Sequence, residues 1–261
     1  SHSEPGDRIV FHGRKSFLDS IIFLLYNEIF KRNIIIYNPH TNLRANWTSR
    51  LVLNLFTDKI VVFTEYNKKS LVAAGFKNVI VIPNPIPLER LECTKGLKPS
   101  KTYDFVWAGR NVPLKRMELF IHAMSRIPEA KGIVLADRFE PTQKEMAGNV
   151  GNRLKMISGL NGFEFFNELL KGKAFVFTST DAEGFPVVLL EAISLDIPII
   201  ASDNEKYREI LGESAIYWKD EHDLIAIMEK VMNGEIRLPS SRILYPLYVP
   251  ERIIEQYEAI E

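Results

Sequence analysis

Short apolar runs alternate with helix-periodic stretches along almost the whole chain. RIVFH at 8–12, NIIIY at 33–37, KIVVFT at 59–64 and the run from Asn78 to Ile82 read as strands. Continuous β-branched apolarity of this kind marks strands buried on both faces of a parallel sheet. Helical patterns at about 16–31, 47–56 and 65–74 lie between them, the last stopped by Gly75. Residues 83–101 break the rhythm with four prolines and a basic, polar stretch, as an interdomain connection would. The alternation restarts at Tyr103 with a strand, a helix at about 115–127, a strand at 132–136 and a helix at about 142–157. Strands at 163–166 and 174–178, a helix opened by Pro186, strands at 197–201 and 215–218, and helices at about 220–233 and 250–260 complete the pattern. Strand–helix alternation predicts βαβ units and parallel, doubly wound sheets.

The stretch 173–201, KAFVFTSTDAEGFPVVLLEAISLDIPIIA, holds the densest chemistry. Pro186 suits a first helical position, and the N–H groups of Val187 and Val188 would then face outward with the positive end of the helix dipole behind them. A phosphate binds well at such a place, and Gly184 lets backbone come close to it. Glu183 lies just before the helix and Glu191 eight residues further on. A carboxylate accepts two parallel hydrogen bonds, which matches a sugar diol, and the dipole favours its ionised form. Taken singly, Glu183 also fits an ordinary helix-cap acid and Glu191 a solvated helix residue. A second element, GRNVPLKR at 109–116, places Arg110 and Lys115 in the loop after a strand, where open α/β sheets bind ligands. The guanidinium fork and the ammonium are the two common ways to hold phosphate oxygens.

EGFPVVLLEA resembles the E-x7-E element of retaining nucleotide-sugar glycosyltransferases of the GT-B fold, in particular family 4 (glycosyl transferases group 1). GR-x4-K is similar to the diphosphate-binding Arg/Lys pair of the same enzymes. The resemblance implies an α/β protein of GT-B type, with two Rossmann-like domains whose parallel sheets face a cleft. Residues 1–90 would form an abridged N-terminal, acceptor-side domain, and 91–247 the donor domain. A C-terminal helix within 248–261 would pack back on the first. The implied reaction moves a sugar from a nucleotide-diphosphate sugar to a hydroxyl acceptor, with retention and without a metal. Arg110, Lys115 and the backbone at Gly184, Phe185, Val187 and Val188 would hold the donor diphosphate, Glu191 the ribose, and Glu183 the transferred sugar. His40, in NPHTN, stands where the family has an acceptor-facing His, and is the second catalytic candidate. Arg116 stands where the family often has Gly or another small residue. The abridged acceptor side would need a membrane surface, a partner chain or another protomer to complete it. The acceptor itself, a sugar, lipid or protein, is not specified. Two other classes fit the same motifs: a non-catalytic sugar-nucleotide-binding or assembly module, and a related epimerase or phosphorylase, the latter with a lysine-bound pyridoxal cofactor.

Composition narrows this picture. Lys and Arg total 33 against 33 acids, so no global field argues for nucleic acid and any basic site must be local. Cys93 is the only cysteine, which excludes an internal disulfide and makes a reducing, cytoplasmic setting the default. The five histidines show no ligand spacing, so no structural metal is expected, nor any cofactor besides the donor nucleotide sugar. The longest apolar stretch, Phe17 to Phe30, is interrupted by Asp19, Asn27 and Glu28 and reads as a buried helix. It is too short for the roughly 20 residues of a membrane span. Any membrane contact would be peripheral.

Overall fold

The β-branched runs of the first half pair side by side in the order in which the chain supplies them. The computed structural model describes residues 8–12, 34–38, 47–97 and 100–260. In it β1 (Arg8–His12), β2 (Ile34–Asn38), β3 (Lys59–Val62) and β4 (Val79–Val81) form a wholly parallel sheet in sequence order. Side chains alternate across a strand, so β3 feeds two cores. Ile60 and Val62 pack with Leu53 of α1 (Trp47–Phe56), Leu71 of α2 (Glu65–Ala73), Phe76 and Val79. Val61 points the other way, into a cluster with Ile36, Ile82, Ile253 and Ile260. The last two come from the final helix and the residues just after it, Pro250–Glu258 and beyond. Thr64 caps α2 by accepting the Asn67 N–H at 3.2 Å. Gly75, at φ 85°, ends it with the paired hydrogen bonds Gly75 N–H to Val72 O and Phe76 N–H to Leu71 O.

The chain divides into two compact units. The first gathers Ser1–Asn84, Glu183–Phe185 and Glu251–Glu261, and the second Pro85–Ala182 and Pro186–Pro250. The second unit opens with a single helical turn, α3 (Leu88–Leu91), inside the proline-rich connection. Its sheet holds β5 (Tyr103–Gly109), β6 (Gly132–Ala136), β7 (Leu154–Ser158), β8 (Gly172–Phe177), β9 (Ile199–Ser202) and β10 (Ala215–Trp218). All pairs are parallel, in the order β10-β9-β8-β5-β6-β7. Helices α4 (Met117–Arg126), α5 (Pro141–Val150), α6 (Gly162–Leu169), α7 (Val187–Ser194) and α8 (Glu205–Leu211) connect these strands, and α9 (Glu221–Met232) follows the last of them. Met117, Phe120 and Met124, spaced for one helix face, are core residues of α4. The helix Pro250–Glu258, α10, closes the described chain.

Two local expectations fail, each for a visible reason. The helix expected at 142–157 stops at Val150, because Gly151 takes φ 76°, and LKMIS at 154–158 is strand β7. The strand expected at 163–166 is instead α6. Asn161 accepts the Glu164 N–H at 3.0 Å while Glu164 accepts the Asn161 N–H at 3.1 Å, a capping box that overrides the aromatic run FEFF. Helix α8, capped by Asn204 on the Tyr207 N–H at 2.9 Å, lies between the strands expected at 197–201 and 215–218, in a stretch assigned no element from the sequence. The expected helix at 16–31 lies outside the described residues.

Candidate functional site

The sheet order of the second unit reverses between β5 and β8, the place where open α/β sheets leave a crevice at their carboxyl ends. The two loops singled out in the sequence leave from these two strands. After Gly109 the first runs through GRNVPLKR, tightening into a 3₁₀ turn at Pro113–Lys115. Gly109 is small for a local reason. A Cβ there would lie 3.3 Å from the Trp107 ring and 3.5 Å from Cδ of Lys115. The Lys115 stem therefore runs beside the strand end, and the residue is only 7% exposed. Its Nζ lies 5.5 Å from the centre of the Phe177 ring at the end of β8, a cation–π contact. Arg110, five residues earlier, is exposed.

Arg116 occupies the left-handed region, φ 48° and ψ 51°, which glycine adopts without cost. That is why glycine suits this position. Here the arginine is used: its Nε donates to Thr178 O at 2.7 Å, and the guanidinium lies 5.1 Å from the Trp218 ring centre.

The loop after β8 is fixed carbonyl by carbonyl. Thr178 O accepts from Arg116, Ser179 O from the Ser202 hydroxyl at 2.8 Å, Thr180 O from the Tyr207 hydroxyl, and Asp181 O from Lys206 Nζ at 2.5 Å. The Thr180 N–H donates to Leu114 O at 2.9 Å. The Thr178 hydroxyl donates to Lys115 O at 2.6 Å and accepts from Trp107 Nε1 at 2.8 Å. The loops after β5 and β8 are thus stitched together, and the end of β9 and the first turn of α8 supply the remaining anchors. None of these anchors was read from the sequence. The available signal was a polar cluster, SDNEKY, following the strand at 199–202 at the same sheet edge.

The loop leads through Glu183–Phe185 to α7. Phe185 is buried and meets Phe63 edge-on, with ring centres 5.8 Å apart. Pro186 is the N-cap, not the first helical residue: its ψ of 109° is extended. Val187 and Val188 are therefore the first two helical residues, and their N–H groups have no acceptor within the helix. Leu189, Leu190, Ala192 and Ile193 are fully buried, the two leucines and the isoleucine each contributing about 1.5–3 kcal/mol of apolar burial that fixes the helix start.

Because α7 is buried on nearly every side, Glu191 is not on a solvated face; it is 3% exposed. Arg90 Nη1 of α3 lies 2.8 Å from Glu191 Oε1. The approach is an ion pair without hydrogen-bond alignment, so that buried oxygen has charge compensation but no hydrogen bond. Burial pushes the carboxyl up to about 7, while Arg90 and then Lys115 pull it down. The dipole argument for a readily ionised acid is thereby corrected: desolvation outweighs the favourable charges around it. Lys115 and Glu191, 76 positions apart in sequence, do share one electrostatic neighbourhood. His40 lies outside the described residues.

Residues 91–241 match the family of glycosyl transferases group 1. An uncharacterized glycosyltransferase of Methanocaldococcus jannaschii is 26% identical over 230 residues, covering 76% of this chain and 55% of its own. The chain thus spans about half the length of that curated relative. Among solved structures, HepE of Anabaena in complex with UDP-glucose is similar over 95% of this chain and 77% of its own, at TM-score 0.73 and 16% identity. Sucrose-phosphate synthase from Thermosynechococcus elongatus is similar over 96% and 72%, at TM-score 0.74 and 16% identity. The parallel sheets and helices are those of the GT-B fold. Matched over more than half its length, the chain belongs to the glycosyl transferases group 1 family.

Proposed function

We propose that this protein transfers a sugar from a nucleotide-diphosphate sugar to a hydroxyl acceptor, with retention of anomeric configuration and without a metal ion. The observation that carries the reading is the meeting of the loops after β5 and β8 at the sheet's switch point. There a buried lysine, a helix start with free N–H groups and a buried carboxylate lie within one unit. A nucleoside diphosphate has complementary parts: an anionic pyrophosphate and a ribose diol. HepE, similar in fold, is described with UDP-glucose bound, which supports this donor class.

In the proposed step the acceptor oxygen bonds to the anomeric carbon while the bond from that carbon to the β-phosphate oxygen breaks. The acceptor's proton passes to the leaving diphosphate. Negative charge grows on the β-phosphate, and Lys115 and the N–H groups of Val187 and Val188 are the fixed positive groups that stabilise it, while the exposed Arg110 helps to capture the diphosphate. Glu191 holds the ribose. Glu183 positions the transferred sugar or stabilises positive character at its ring, and its role is separable from nucleotide binding. The test is a thermal-shift screen of nucleotide-diphosphate sugars followed by a transfer assay on the tightest ligand. Glu183→Gln should keep nucleotide affinity within about threefold and lower turnover at least about a hundredfold. Unchanged turnover in that variant removes Glu183 from the mechanism, and absence of any nucleotide-sugar shift removes the donor class.

A further inference from the structure

We infer that Arg90 is a positioning residue: from the segment that opens the second unit, its guanidinium holds Glu191 in the charged form that a ribose diol requires. This rests on the reading of Glu191 as the ribose ligand.

The geometry is that of a residue acting through another. The Arg90 side chain is 54% exposed, yet its Nη1 reaches 2.8 Å from an oxygen of a carboxylate whose side chain is only 4% exposed. The guanidinium also lies 5.8 Å from the centre of the Phe166 ring, itself fully buried in α6, which restricts where it can sit. Glu191 Oε1 faces this charge without a hydrogen bond. A buried carboxylate with that deficit favours a ligand that brings hydroxyl donors. Two charged groups act on it: Arg90 from α3 and Lys115 from the turn after β5. Lys115 is already needed by the diphosphate in the proposed function, so Arg90 is the cation left to balance the acid once a nucleotide is bound. Removal of Arg90 leaves burial opposed by one cation instead of two, and the carboxyl midpoint moves up.

The experiment uses the full chain with 13C-carboxyl-labelled glutamate, the Glu191 signal being identified by its loss in Glu191→Gln. Wild type should titrate near pH 7. Arg90→Met keeps an apolar stem over Phe166 and should raise the midpoint by about one unit, while Arg90→Lys stays within about 0.3 units of wild type. UDP and GDP binding, measured by calorimetry from pH 5.5 to 8.5, should weaken about fivefold at pH 7 in Arg90→Met for whichever diphosphate binds. That is the ratio of ionised fractions for a one-unit shift. The loss should shrink toward pH 8.5 and vanish in the Glu191→Gln background. An unmoved Glu191 midpoint in Arg90→Met overturns the inference. So does tighter binding in that variant, which would make Arg90 a competitor of the ribose. If neither diphosphate binds any form, the proposed function fails, while the carboxylate titration still decides whether Arg90 sets the charge of Glu191.

Discussion

The loop after β5 has an inner and an outer end, and the two cations that define its motif have opposite surroundings. Lys115, at the inner end, is buried over the Phe177 ring and felt by Glu191. Arg110, at the outer end, is exposed. The sequence presents them as a pair of equals, five residues apart. Physically they are not. A preorganised charge in a low-dielectric place stabilises a developing charge at the moment of reaction, whereas an exposed one is screened and acts mainly on capture. The difference teaches that, under the proposed function, Lys115 would be the catalytic end of the motif and Arg110 the docking end.

The largest expected effect sharpens this distinction. Lys115→Met should lower kcat by about 10² to 10³, with a smaller change in nucleotide affinity. Arg110→Met should raise the Kd for the nucleoside diphosphate about tenfold and leave kcat within about threefold, an effect that shrinks at high salt. Steady-state kinetics and calorimetry at two ionic strengths check both. Equal losses in kcat would erase the contrast.

Next in size is the cost of the acid at the inner end. The folded-state value of Glu191, about 7, lies above its ordinary 4.5, so the folded chain takes up this proton more readily than the unfolded one. Stability attributable to this group is therefore highest below about pH 4.5, declines as pH rises to about 7, and stays reduced above it. Glu191→Gln should be more stable than wild type at pH 8 by up to about 3 kcal/mol, with the advantage fading toward pH 5. Urea unfolding at the two pH values measures it. An advantage that grows on acidification would contradict the burial account.

The smallest effect concerns the residue that joins the two loops. Arg116 holds a left-handed conformation that costs a side-chain-bearing residue about 1 kcal/mol. Arg116→Ala keeps that cost and loses the hydrogen bond to Thr178 O, whereas Arg116→Gly loses the bond and the cost together. The glycine variant should be the more stable of the two by about 1 kcal/mol in urea unfolding. The reverse order would place the strain elsewhere.

The fold was legible wherever apolar periodicity was undisturbed. The runs RIVFH and GIVLA became β1 and β6 without adjustment. It was illegible where capping decided the outcome, as at Gly151 and Asn161, since one turn residue outweighs a short apolar pattern. The site was half legible. The loops after β5 and β8 announced themselves by glycine, proline and charge at fixed spacing. The burial of Glu191 could have been read too, because VVLLEAIS is apolar on every side and such a helix has no solvated face. Arg90 could not. It reaches Glu191 across 101 positions of sequence, and only the tertiary fold brings α3 to α7. The four anchors of carbonyls 178–181 have the same character, coming from Arg116 and from the distant stretch 202–207.

The role of the α7 start turns on where a diphosphate binds. The most direct measurement is the backbone amide spectrum of the 15N-labelled protein during titration with the tightest nucleoside diphosphate from the screen. The amides of Val187 and Val188 should move downfield with the same midpoint as the rest of the binding isotherm, and Lys115→Met should reduce those displacements. A saturable diphosphate complex that leaves both amides unmoved would contradict the account.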